Sequence, residues 1–177
     1  ADGRHRGIEH LLWAVVEGML PDRGHATLVV NEASDLIWLR AMSMETQRRK
    51  KTALDGRFEI VPLGAGAALV PYILLTAKPE RRVVVLHDAI TEVPAASGGL
   101  SVVSIASFAA TKVDRPTIED LVEVSLWLSL VTEAFKLSPP MAEDELGTEG
   151  GIIARTHKGL EGSGETLDRL RVAETAI

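Results

Sequence analysis

Between Pro116 and Lys136 the chain carries Leu121, Val122, Val124, Leu126, Trp127, Leu128, Leu130, Val131 and Phe135. Pro116 and Thr117 suit a helix start. Asp120, three residues after the threonine, puts a carboxylate in the first turn, where unpaired amides need acceptors. The pattern predicts a helix over 117–136 that stops before Pro139. Its apolar side chains run nearly all round the helix, leaving too narrow a polar face for one helix on one sheet. A helix of this kind either lies deep in a core or packs one side on its own domain and the other on a second subunit. The second arrangement is the expectation, with the helix at 8–20 as its neighbour and a homodimer formed through 8–20 and 117–136.

The earlier part of the chain supplies that neighbour and a sheet. Ile8, Leu11, Leu12, Val15, Val16 and Met19 recur at helical three-and-four spacing, and Pro21 closes the run. His25 to Val30 is β-branched and apolar. After the turn-forming Asn31-Glu32-Ala33-Ser34-Asp35, the run Leu36 to Met42 reads as its antiparallel hairpin partner. Arg48-Arg49-Lys50-Lys51 repels itself and predicts a solvated loop, one able to receive an acidic partner or a phosphate. Phe58 to Val61 reads as extended. Ala67 to Thr76 reads as only partly helical, because a proline costs about 3 kcal/mol inside a helix; Pro71 fits a first turn. Arg82 to Leu86 and Leu100 to Phe108 complete the strands, the second introduced by Ser97-Gly98-Gly99.

Composition narrows the function. With no cysteine, disulfides, thiolate zinc sites and thiol catalysis are excluded together, which suits the cytoplasm. The net charge of −6 is concentrated late: residues 138–177 carry eight acidic and four basic groups. A nearly neutral body offers no basic stripe for nucleic acid, and no apolar run reaches the length of a membrane span. Six glycines between Gly147 and Gly164, among acids and small residues, mark 138–164 as an acidic Gly-rich linker. The domain is expected over 1–137, with 165–177 as a short helix or connector.

Ile60-Val61-Pro62-Leu63-Gly64-Ala65-Gly66-Ala67-Ala68, then Thr76-Ala77-Lys78-Pro79-Glu80, then Arg115-Pro116-Thr117-Ile118-Glu119-Asp120-Leu121 stand in the order of the turns of the GAF family of sensor domains. Residues 8–137 resemble that family. The resemblance implies an α+β sandwich: an antiparallel sheet of five or six strands, the N- and C-terminal helices on one face and a ligand pocket on the other. It also implies a sensory or regulatory domain that performs no catalysis and signals through a shift of its last helix. An enzyme of that fold, the free methionine sulfoxide reductase type, requires cysteines. The alternative is a dimerisation or interaction scaffold without ligand.

Candidate ligand-binding residues are Trp38, Met42, Gly64, Gly66, Tyr72, His87 and Asp88. Aromatic and thioether groups grip flat ligands, and a histidine just beyond a strand can meet a ligand or a heme iron. Gly64-Ala65-Gly66 lacks the third glycine of a dinucleotide fingerprint and reads as a strand-to-helix turn. His5, His10, His25, His87 and His157 are never spaced as paired metal ligands, so no metal site and no named cofactor are expected.

Overall fold

The computed structural model describes residues 6–17, 26–63, 68–76, 82–87, 99–109, 113–114 and 116–177. Four strands form one sheet in the order β2-β1-β3-β4, where β1 is Ala26–Val30, β2 Phe58–Pro62, β3 Arg82–His87 and β4 Leu100–Ser104. Every pairing is parallel: Leu28 lies opposite Ile60 on one side and Val84 on the other, and Val85 lies opposite Val102. All five residues of β1 and the middle four of β3 are buried, as expected for parallel strands covered on both faces.

Among the described residues six α-helices accompany the sheet: α1 Arg6–Glu17, α2 Ala33–Arg48, α3 Leu69–Thr76, α4 Val124–Phe135, α5 Ile152–Leu160 and α6 Arg169–Glu174. Alternate strand residues divide between two cores. Leu28, Val30, Val84 and Leu86 join Leu11 and Val15 of α1, Trp38 and Leu39 of α2, and Trp127 and Val131 of α4. Val29, Val83, Val85 and Leu100 instead meet Leu69 and Ile73 of α3. The chain thus crosses from β1 to β2 through α2 on one face, and from β2 to β3 through α3 on the other. This is a doubly wound parallel α/β arrangement.

These pairings overturn the expected antiparallel GAF-like sheet, and the error has a local origin. Leu36 to Met42 is no hairpin strand but the first half of α2, whose buried residues Asp35, Trp38, Leu39, Met42, Ser43 and Thr46 keep three-and-four spacing. A short apolar run such as Leu36-Ile37-Trp38-Leu39 suits strand and helix alike. The preceding polar string, read as a hairpin turn, is helix-capping chemistry: the Glu32 N–H donates to the Asp35 carboxylate at 2.8 Å. Without a hairpin the two strands cannot be antiparallel neighbours; a helix between them returns the chain in the same direction.

The helix expected over 117–136 is interrupted. Ile118–Leu121 forms a single 3₁₀ turn, Val122 is extended, and α4 begins at Val124. The Thr117 N–H does donate to Asp120, at 2.8 Å, but the other carboxylate oxygen of Asp120 accepts from the Ile152 N–H at 2.6 Å. Asp120 therefore joins this turn to the start of α5. Residues 138–164, glycine-rich and acidic, hold α5 and contribute Met141, Leu146, Ile152 and Leu160 to the main core. The second oily side of α4 meets this tail: Trp127 Nε1 donates to Thr156 Oγ1 at 2.7 Å, and the Arg171 guanidinium lies 4.8 Å from the centre of the Phe135 ring. No helix among the described residues is long and apolar enough to cross a membrane.

Leu160 is fully buried. Leu160→Ala should therefore lower the unfolding free energy by about 2–5 kcal/mol in urea titrations, the cost of a core truncation. A tail that merely tethered would leave the midpoint unchanged.

Candidate functional site

Helix α2 supplies one wall of a helix-lined groove. Its sequence sets the buried stripe: Trp38 and Met42, four apart, face α4, and the Trp38 ring lies 6.0 Å from that of Trp127 at a 36° tilt. Beside them opens a groove of about 410 Å³, between Ile8 and Glu9 of α1, the Trp38-to-Arg48 part of α2, Leu126 and Leu130 of α4, and Thr175 to Ile177 after α6. Its mouth keeps large apolar groups in water: Met44, Leu126 and Ile177 are at least half exposed. One end is basic. Arg48 and Arg49 both reach Glu45, at 3.7 and 2.8 Å, and Lys51 lies 4.0 Å from Glu9. The Ser43 hydroxyl pins the turn that carries them, accepting from the Leu54 N–H at 2.7 Å and donating to the Leu54 carbonyl at 3.1 Å.

A second feature lies at the N-terminal end of α2. Arg169, the first residue of α6, reaches three carboxylates, two at the start of α2 and one in the turn before α4. Its Nε and Nη2 donate to the two oxygens of Glu119 at 2.8 and 2.9 Å. Its Nη2 also lies 3.3 Å from Asp35, and its Nη1 lies 2.7 Å from Glu32. Glu119 is fully buried and Asp35 nearly so. Burial above all pushes the Asp35 carboxyl up to about 6; the Glu32 N–H and Arg169 oppose this, while the charges of Glu119 and Glu32 add to it. No three carboxylate or imidazole groups among the described residues form a metal-binding set.

The carboxyl ends of β1 and β3 form a third feature, since a doubly wound sheet opens a crevice where its strand order reverses. Here the hollow is small, about 10 Å³, and is lined by Val29, Val30, Asn31, Leu69, Val85, Leu86 and His87. That volume admits no more than about one water.

The candidate residues named from sequence are accordingly dispersed. Trp38 and Met42 share the groove. His87 closes β3 at the small hollow, and Tyr72 packs half-buried against the second core on the other side of the sheet. Gly64, Gly66 and Asp88 lie outside the described residues. The expected pocket on the sheet face opposite α1 and α4 is replaced by α3. Glu32, Asp35, Glu119 and Arg169 escaped sequence reasoning. Their only local signal was the Glu32-to-Asp35 spacing of a helix cap; Arg169 is 50 residues from Glu119 and 134 from Asp35.

Fold and geometry define a parallel α/β domain with a helix-lined groove and a buried arginine–carboxylate cluster. No family model, curated protein or solved structure matches the chain.

Removing the cation should strand a buried carboxylate. Arg169→Met is expected to cost about 3–5 kcal/mol of stability, and Glu119→Gln added to that variant should recover much of the loss. A double-mutant cycle by urea unfolding measures both.

Proposed function

We propose that this chain is a non-enzymatic binding module that takes an amphiphile in the groove between α1, α2 and α4. The apolar body of the ligand lies along Trp38, Met42 and Leu130, and its anionic head meets Arg48 and Arg49. The observation that carries this reading is the union of an apolar floor with an end where Arg48 and Arg49 line the groove among Glu9, Glu45 and Glu123. Arg48 and Arg49 both pair with Glu45, and Lys50 and Lys51 follow them in the chain. A volume of about 410 Å³ falls within the usual range of small-molecule sites, roughly 300–1,000 Å³. A regulatory role follows from the position of the groove, walled by helices that converge from both ends of the chain. Ligand that bridges α1, α2 and the C-terminal residues biases their relative packing.

A second reading is an interface between two copies of this chain through the same helices. It is favoured by the exposure of Met44, Leu126 and Ile177 at the mouth, with Trp13 of α1 also half exposed. Sedimentation at increasing concentration separates the two readings, because a dimer sealed through the groove would exclude ligand.

Anilinonaphthalene sulfonate, an aromatic body with an anionic head, serves as probe. One molecule per chain should bind with a rise in its fluorescence. Leu126→Glu, at an exposed position, should block binding, and Arg48→Glu with Arg49→Glu should weaken it about tenfold or more, a difference of about 1.4 kcal/mol. Equal affinity for the native protein and both variants would refute the groove as the site.

A further inference from the structure

We infer that strand β4 is a dimerisation edge, pairing antiparallel with β4 of a second copy of this chain so that two sheets of four strands become one of eight. The main chain of β4 is bonded on one side only. The Val83 N–H donates to the Gly99 carbonyl at 2.9 Å, and Val83 lies opposite Leu100. Main-chain groups alternate sides along a strand, so Gly99, Ser101 and Val103 turn theirs toward β3. Leu100, Val102 and Ser104 turn theirs outward, where no main-chain group of another strand among the described residues meets them. Such an edge is a template for a further strand.

The other edge of the sheet is protected. Along β2 the Arg57 carbonyl and the Leu63 N–H bond to β1, so Phe58, Ile60 and Pro62 face outward. The Phe58 N–H donates to the Asp55 carbonyl at 3.1 Å and Pro62 has no N–H, which leaves Ile60 as the outward donor of that strand. Strand β4, Leu100-Ser101-Val102-Val103-Ser104, holds no proline, no glycine and no charged side chain, the usual means of blunting an edge.

The same features select a second copy as the occupant. Leu100 and Ser104 stand symmetrically about Val102, so a two-fold axis through that residue sets the strand against itself along its whole length. The two Val102 residues then exchange both main-chain bonds, and the Ser104 N–H of each copy meets the Leu100 carbonyl of the other. No charge faces its like across the axis. A foreign peptide would take its specificity from side-chain pockets flanking the edge. Neither the groove nor the small hollow is lined by a residue of β4. The axis stands perpendicular to the sheet and keeps like faces together. The α1, α2 and α4 layers, and with them the two grooves, therefore lie on one side of the dimer; the bivalence this gives is the one consequence that rests on the groove reading.

Sedimentation equilibrium of the native chain tests the edge, and a concentration-dependent dimer is expected. Val102→Pro removes an N–H that has no partner among the described residues, so far-UV circular dichroism should stay unchanged. The dimer dissociation constant should rise about tenfold or more, because the bond is lost on both sides of the axis. Val102→Lys and Val102→Glu, whose charges meet their own copies at the axis, should each sediment as monomers, and an equimolar mixture should restore a dimer. If the proline variant does not fold, this charge pair decides alone. Leu126→Glu, at the groove, should leave the dimer intact. A native chain that stays monomeric at every concentration overturns the proposal. So does a dimer of unchanged strength in Val102→Pro, one that is lost in Leu126→Glu, or a mixture of the two charge variants that remains monomeric. None of these measurements uses a ligand, so a groove that fails to bind its probe leaves the result intact.

Discussion

A strand that is buried at every position must be covered twice, and this constraint organises the molecule. Ala26-Thr27-Leu28-Val29-Val30 is buried throughout and paired on both edges. Its even and odd residues point to opposite sides, so neither face can be left to water. Helix α2 closes one side and α3 the other. The crossover connections that supply those helices also make the strands parallel, since each returns the chain to the starting edge of the sheet.

The two faces are unequal in what covers them. One carries α1, α2 and α4, then α5 and α6 packed beyond them, around the contact of Trp38 with Trp127. The other carries α3, whose Leu74 and Leu75 remain exposed. Accumulation of helices on one side makes room for a groove between them, because rods meeting at different angles leave a channel where their side chains do not interdigitate. Its floor shares residues with the core, whereas its rim carries the basic turn after α2. Groove wall and core are thereby built from the same helix.

Charge follows a different logic from packing. The acidic tail serves as more than a solvated appendage: Arg169 within it balances carboxylates deep in the domain, and its glycines let it approach closely. A side-chain carbon added at Gly151 would lie within 3 Å of the Asp120 carboxylate, and one at Gly159 would lie 2.8 Å from the Glu145 carbonyl. At Gly151 and Gly159, glycines that suggest a flexible linker by composition are places where backbone meets a carboxylate or another stretch of backbone. The same residue type serves both ends, and composition cannot separate them.

Local periodicity in the sequence determined what was local in the fold. The helical stripe of Leu11, Leu12 and Val15, the apolar runs of β1, β3 and β4, and the turn in which the Thr117 amide meets Asp120 were all legible. So was the exposure of the basic block, although its first residue, Arg48, closes α2 and does not stand in a loop. Strand direction was not legible, because it hinged on whether Leu36 to Met42 was strand or helix, and four consecutive apolar residues satisfy both periods. The arginine cluster was beyond reach for a stronger reason. Beyond the cap spacing of Glu32 and Asp35, neither Glu119 nor Arg169 stands in any periodic relation to them, and only the packing of α6 on α2 brings a guanidinium within 3.3 Å of all three acids. Short-range chemistry fixes each element, while long-range burial alone decides which charges must face one another.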